Sequence, residues 1–83
     1  MKRIGVIGIV LNSKEHVQEV NKLLSEYSDI IFGRMGVPDK ETGINTISIM
    51  VKGTNEEVSA LTGRLGRLDN VYVKSALTSM EVL

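Results

Sequence analysis

The sequence predicts an α+β fold in which two helices cover one face of a four-stranded antiparallel sheet. Strand-like and helix-like segments follow one another in the order β-α-β-β-α-β. The two helical segments carry the same apolar stripe, and sliding the chain by about 41 residues superimposes the two halves. Right-handed crossovers would then place both helices on one side of the sheet. With 83 residues, the chain is expected to form a single domain, residues 1–83.

The first half is predicted to form a strand, a helix and an edge strand. Residues 3–11, RIGVIGIVL, are apolar on both faces, as is typical of a central strand. Asn12 or Ser13 should cap the first helix, with Glu15 completing a capping box. The apolar stripe of this helix consists of Val17, Val20, Leu24 and Tyr27. The second strand is SDIIFGRMGV, residues 28–37, and PDKETG, residues 38–43, has the composition of a hairpin turn.

The second half repeats this plan. INTISIMVK, residues 44–52, is predicted to be a strand, and Thr54 with Glu57 forms a T-x-x-E capping box. The stripe of the second helix consists of Val58, Leu61, Leu65 and Leu68. NVYVKSALTSM, residues 70–80, is the last strand. The complete order is that of the ferredoxin-like sandwich.

The repeat also predicts which strand residues face the helices. If Ile47, Ile49 and Val51 face them, an offset of about 41 residues places Val6, Gly8 and Val10 on the same face. The opposite face would then carry Ile7, Ile9, Leu11 and Met50. Because no further segment covers that face, we expect a homo-oligomer that uses this face, the edges of the sheet, or both.

Composition excludes several classes of function. Ten basic residues balance ten acidic ones, so there is no excess of positive charge for direct binding of nucleic acid or an acidic membrane. The absence of cysteine excludes disulfides, thiol catalysis and cysteine-based metal sites, and it fits the cytoplasm. MKRIGVIGIVL lacks a cleavage site for a signal peptide and is too short to span a bilayer.

No catalytic or metal-binding constellation stands out. His16 is the only histidine and is expected to be solvated, and one histidine cannot form a metal site within one chain. The carboxylates fall mostly in caps, turns and outer helix faces, and the serines lack a base. Neither a G-x-G-x-x-G fingerprint nor a Walker A sequence occurs. We therefore expect no catalytic residues and no metal ligands within one chain, and the sequence leaves any cofactor unknown; a metal held between several copies of the chain is the alternative.

The segment FGRMGVPD offers the most specific local signal. Gly33 and Gly36 predict a bulged or sharply twisted edge strand, which Pro38 ends. G-R-x-x-V also resembles the anion-binding loop of acylphosphatases, but that loop lies between the first strand and the first helix, whereas Arg34 follows the first helix. Arg34 is expected to make a contact between subunits. Anion or effector binding by Arg34 is the alternative.

IIFGRMGVP, followed by INTISIMVKGT and NEEVSALTGRLGRL, resembles the small single-domain regulators of the iron-only (FeFe) hydrogenase system. This resemblance implies an ACT-like domain, similar to the C-terminal regulatory domain of nickel-responsive repressors. Such domains bind small effectors or metal at subunit interfaces. The nickel site does not carry over to a chain with one histidine and no cysteine, and the DNA-binding segment of the repressors is missing.

The resemblance also implies where an effector would bind. ACT effector sites use the loop after the first strand, here Leu11, Asn12, Ser13 and Lys14, together with a strand that here carries Arg34. The implied function is that of a non-enzymatic, ligand-sensing regulatory module acting as a homo-oligomer. The alternative is an oligomeric structural or assembly factor that binds a hydrogenase-maturation protein and no small molecule.

Overall fold

A computed structural model describes residues 1–12 and 14–82 and shows the predicted α+β sandwich. The elements are β1 (Lys2–Leu11), α1 (Val17–Glu26), β2 (Ile31–Pro38), β3 (Asn45–Gly53), α2 (Asn55–Gly66) and β4 (Val71–Val82), with a short 3-10 turn at Ser28–Ile30. The strands form one antiparallel sheet in the order β2-β3-β1-β4. The ferredoxin-like prediction is confirmed, and β2 is an edge strand as predicted.

The core lies between the helices and one face of the sheet. The predicted stripe of α2 is buried at Val58, Leu61 and Leu65, and Leu68 packs against the core. In α1, the buried residues are Val20, Leu23 and Leu24, with Val17 and Tyr27 packed at the margin. Arg64 of α2 donates a hydrogen bond of 2.8 Å to the Glu26 carboxylate and so joins the exposed edges of the two helices.

The predicted face assignment of β1 is wrong. Ile7, Ile9 and Leu11 are 0%, 0% and 1% exposed, and they lie in the core rather than on the uncovered face. Ile7 pairs with Ile49 and Ile9 with Ile47, so these residues share the face that the helices cover. Met50 lies on the uncovered face as predicted, opposite Val6, which is 43% exposed.

The error arises from the parity of the internal repeat. The helical stripes match at an offset of 41, from Val17 to Val58. Ile7 and Ile47 both face the helices and are 40 residues apart. Because side chains alternate along a strand, shifting the alignment by one residue moves the whole apolar set to the other face. The repeat therefore predicts the apolar stripes of the helices correctly but assigns the residues of β1 to the wrong faces of the sheet.

The two helices begin differently. Thr54 accepts a hydrogen bond from the Glu57 backbone N–H, and the Glu57 carboxylate accepts one from the Thr54 N–H at 2.9 Å, which confirms the capping box. α1 instead begins at Val17 after an N-cap His16 without a side-chain hydrogen bond, so the predicted cap at Asn12 is wrong. The alternative cap, Ser13, lies outside the described residues.

Thr54→Ala is expected to lower the free energy of unfolding by about 1 kcal/mol, because one N–H of the first turn of α2 loses its acceptor. Thr54→Ser is the matched control, since it keeps the hydroxyl and should change stability by only a few tenths of a kcal/mol. Urea unfolding measures both variants. Equal losses for alanine and serine would show that the hydroxyl does not cap the helix.

The same capping box makes stability depend on pH. The hydrogen bond from the Thr54 backbone N–H lowers the pKa of Glu57 from its usual value near 4.5. A carboxylate with a lowered folded-state pKa stabilises the fold fully above its unfolded pKa. The contribution is lost as the pH falls through the lower folded value.

Candidate functional site

A cleft lies between α1 and the part of β2 and β3 that leads into the hairpin. Its volume is about 180 Å³. The apolar part of its lining comes from Leu11, Val17, Val37, Pro38 and Ile47. The remaining lining residues are Asn21, Arg34, Gly36, Asn45 and Thr46. The cleft is thus an apolar hollow with one positively charged side chain in its wall.

A bulge in β2 places Arg34 in this wall. Ile31 pairs with Val51, but the next residue in register, Gly33, pairs with Met50, so β2 contains one extra residue at Phe32. The extra residue reverses the alternation of side chains along the strand. Arg34 therefore pairs with the buried Ile49 and lies on the helix side of the sheet. The bulge predicted from the glycines is confirmed.

Arg34 is oriented by α1. Its Nη2 donates a short hydrogen bond to the Asn21 side-chain oxygen. Asn21 is neutral, so this contact fixes the guanidinium without compensating its charge. Within residues 1–12 and 14–82, a salt bridge joins Arg64 to Glu26, the His16 ring lies near the carboxylates of Glu15 and Glu19, and no contact of this kind includes Arg34.

The hairpin beside the cleft is held by its own side chains. The Asp39 carboxylate accepts a hydrogen bond of 2.6 Å from the Thr42 hydroxyl and one from the Glu41 backbone N–H. These two bonds, the hydroxyl first, lower the pKa of Asp39. Gly43 has a φ of +77°, which favours glycine in the turn. The turn so formed fixes the strand ends that carry Pro38 and Asn45.

The structure brings together some of the predicted ligand-binding residues and separates others. Leu11 and Arg34 both line the cleft, from the central strand and the edge strand respectively. Asn12 lies just beyond β1, where its backbone N–H donates to the Asn70 carbonyl at 2.9 Å. Lys14 is exposed, and neither it nor Asn12 belongs to the cleft lining. Ser13 falls outside the described residues.

Sequence reasoning missed Asn21, Asn45 and Thr46 as site residues. Asn21 lies beside the apolar stripe of α1, and its polar side chain four residues after Val17 is the one signal that could have identified it. Asn45 and Thr46 flank a turn, where such residues are common for reasons of backbone geometry. Their proximity to Arg34 depends on the register of β2 on β3, which the sequence pattern does not contain.

His16 differs from its prediction as a solvated residue. Both ring nitrogens are buried and lack a hydrogen-bond partner among the described residues. The carboxylate oxygens of Glu15 and Glu19 lie 4.0 and 3.7 Å from them. Within residues 1–12 and 14–82, no three His, Cys, Asp or Glu side chains lie together as a set that could hold a metal ion.

The uncovered face of the sheet is the second surface of interest. Val6 and Met50 lie at its centre, where Val6 also pairs with Ala76 of β4. Large apolar side chains are exposed along the sheet at Phe32, Met35, Val37, Tyr72 and Met80. Among the described residues, no helix is long and apolar enough to cross a membrane.

The fold is that of an ACT-like domain, as comparison with solved structures shows. The ACT domain of GTP pyrophosphokinase from Chlorobium tepidum superimposes with a TM-score of 0.76 at 19% identity, over 92% of this chain and 100% of that one. The nitrogen regulatory PII-like protein CPII from Thiomonas intermedia, in its apo form, matches with a TM-score of 0.54 at 15% identity, over 94% and 97% of the two chains. These likenesses establish the shared fold.

The chain belongs to the TM1266-like family, whose description is "Iron-only hydrogenase system regulator, putative"; the family model matches residues 3–75. The solved structure of the uncharacterized protein TM1266 from Thermotoga maritima superimposes with a TM-score of 0.88 at 32% identity, over 93% of this chain and 98% of that one. The resemblance seen in the sequence is thereby confirmed. Comparison with curated proteins gives no match.

Proposed function

We propose that this protein is a non-enzymatic, ligand-sensing module that acts as a homo-oligomer in the cytoplasm and regulates an iron-only hydrogenase system. The observation that carries the proposal is the cleft that joins Leu11 of the central strand to Arg34 of the edge strand. A site that spans α1 and an edge strand is coupled to any subunit packed along that edge. Family membership supports the regulatory role.

The mechanism would be linkage between binding and assembly. A ligand in the cleft contacts α1 through Asn21 and β2 through Arg34, so it favours one position of the edge strand relative to the helix. The ligand binds more tightly to the subunit arrangement that fits this position. Binding therefore shifts the equilibrium toward that arrangement by the difference between its two binding free energies. A partner protein would then distinguish the two arrangements.

Homo-oligomer formation is supported by the uncovered face. Small domains bury a limited fraction of their surface, so association adds stability that the core alone does not provide. We propose that Met50 and Val6 lie at the centre of the subunit interface, with Arg34 at its margin beside β2. Ile7, Ile9 and Leu11 take no part, because they are buried beneath the helices.

The proposal predicts a ligand and an oligomer. A thermal-shift screen of carboxylates, amino acids, nucleotides and divalent metals should find a compound that raises the unfolding temperature, since a ligand bound only to the folded state stabilises it.

Sedimentation at micromolar concentration should show an oligomer, and Val6→Glu should dissociate it by placing a charge on the apolar face. Lys40→Glu, in the exposed hairpin, is the control and should leave the oligomer intact.

A stable wild-type monomer would refute the oligomeric part of the proposal, and a screen without any stabilising compound would refute ligand sensing. The second candidate function is an assembly factor, which the exposed apolar face also favours because the face suits a protein partner. A negative screen together with isolation of a hydrogenase-maturation protein on the immobilised oligomer would favour this second function.

A further inference from the structure

We propose that the cleft beside α1 binds a short aliphatic carboxylate that carries no amino group. The carboxylate would pair with Arg34, and the hydrocarbon chain would lie against Val17 and the largely buried Ile47. This inference rests on the proposed ligand-sensing function and assigns the chemical class of the ligand to that site.

The charge of Arg34 determines one end of the ligand. A guanidinium has five N–H donors in a planar fork, and within the described residues the side-chain hydrogen bond of Arg34 goes to the neutral Asn21 alone. Arg64 provides the contrast, because its guanidinium is paired with the Glu26 carboxylate at 2.8 Å. Arg34 is thus an oriented cation whose natural complement, a carboxylate, is missing from its surroundings.

The walls of the cleft determine the other end. Five lining residues are apolar, and Arg34 is the one charged side chain among the residues that line the cleft. A second anionic group on the ligand would face these apolar walls without a cation and would lose its hydration. Phosphates and dicarboxylates are therefore disfavoured relative to a carboxylate with a hydrocarbon chain.

The lining also discriminates against amino acids. Among the described residues, no aspartate or glutamate lines the cleft, so the ammonium of a bound amino acid would have mainly the neutral side-chain oxygens of Asn21 and Asn45 as acceptors. Moving an ammonium from water to such a site costs free energy that no opposite charge returns. The ligand should consequently bind better without its amino group.

The size of the cleft limits the length of the chain. A volume of about 180 Å³ is comparable to that of a cavity of about 150 Å³ that accommodates one benzene molecule. That space suits a small carboxylate of about four to six carbon atoms.

The test compares three probes that share one carbon skeleton: 3-methylbutanoate, 3-methylbutanamide and valine. Calorimetry and thermal shift on the full chain should show saturable binding of 3-methylbutanoate, with the neutral amide and valine each at least tenfold weaker. Arg34→Gln should weaken binding of the carboxylate at least tenfold. Arg67→Gln, at an exposed arginine that forms the C-cap of α2 and lies outside the cleft, is the matched control and should bind as the wild type does.

Site-resolved NMR adds a readout that does not depend on affinity. Addition of 3-methylbutanoate should shift the methyl signals of Val17 and Ile47 and the side-chain amide of Asn21. Equal affinity for valine, undiminished binding of 3-methylbutanoate by the Arg34→Gln variant, or shifts confined to other residues would overturn the inference. A screen that finds a different ligand while carboxylates of four to six carbons fail would overturn it and leave ligand sensing intact, whereas failure of every compound would remove both.

Discussion

Ile7→Ala is expected to lower the free energy of unfolding by about 2–5 kcal/mol, which is the cost of truncating a large aliphatic side chain in a well-packed core. Ile7 is fully buried on the central strand β1, and it pairs with Ile49, which is fully buried as well. The lost side chain would leave a cavity beneath the helices that neighbouring residues fill only in part. Urea unfolding followed by far-UV circular dichroism measures the loss.

Val6→Ala is the control because Val6 is the next residue of the same strand and lies on the uncovered face. With 43% of its surface exposed, Val6 should contribute less to the stability of one subunit than Ile7 does. Any loss caused by interface contacts of Val6 should grow with protein concentration, since assembly follows mass action. The loss at Ile7 should not depend on concentration. A larger concentration-independent loss at Val6 than at Ile7 would show that the two faces of β1 are exchanged.

The fold could be predicted because its signals are local. The stripe of Val58, Leu61 and Leu65 and the Thr54 cap each depend on residues within one helix, and the structure has both. The assignment of Ile7 to the uncovered face failed because it transferred a helical offset to strands. The offset of 41 residues aligns the apolar stripes of the two helices. In a strand, an error of one residue in the offset assigns every side chain to the opposite face. Strand faces must therefore be predicted from pairing partners rather than from an internal repeat.

The candidate site could be predicted only in part for a related reason. The resemblance to ACT domains implies Leu11 and Arg34 as effector-binding residues, and the fold does bring both to one cleft. The direction of Arg34 depends on the bulge at Phe32, whose position determines whether the side chain faces α1 or the open face. The glycines predicted a bulge without its exact place. Asn21 contacts Arg34 only because the Arg34 side chain lies on the side of the sheet that faces α1.

Gly5→Ala is expected to lower the free energy of unfolding by about 1–3 kcal/mol, the usual cost of forcing an extra carbon into a packed interior. A Cβ atom at Gly5 would lie 2.5 Å from the Ala76 carbonyl oxygen and 2.8 Å from the Leu77 Cα. Both atoms belong to the backbone of β4, so the strand itself would have to move. The register of β4 on β1 is irregular between Arg3 and Gly5, where the Thr78 hydroxyl donates a hydrogen bond of 2.6 Å to the Ile4 carbonyl.

Gly8→Ala separates this steric cost from the general effect of replacing glycine in a strand. Gly8 lies on the same strand, and its Cβ would meet its nearest neighbour, the Lys74 carbonyl oxygen, at 3.8 Å, which is an ordinary contact. Alanine also restricts the unfolded chain more than glycine does, so Gly8→Ala should be neutral or stabilising by up to about 1 kcal/mol. Hydrogen exchange should show faster opening of the β1–β4 pairing near Leu77 in Gly5→Ala alone. Equal stability of the two variants would mean that β4 can move away without a loss of stability. The close approach of its backbone would then not be the reason that position 5 requires glycine.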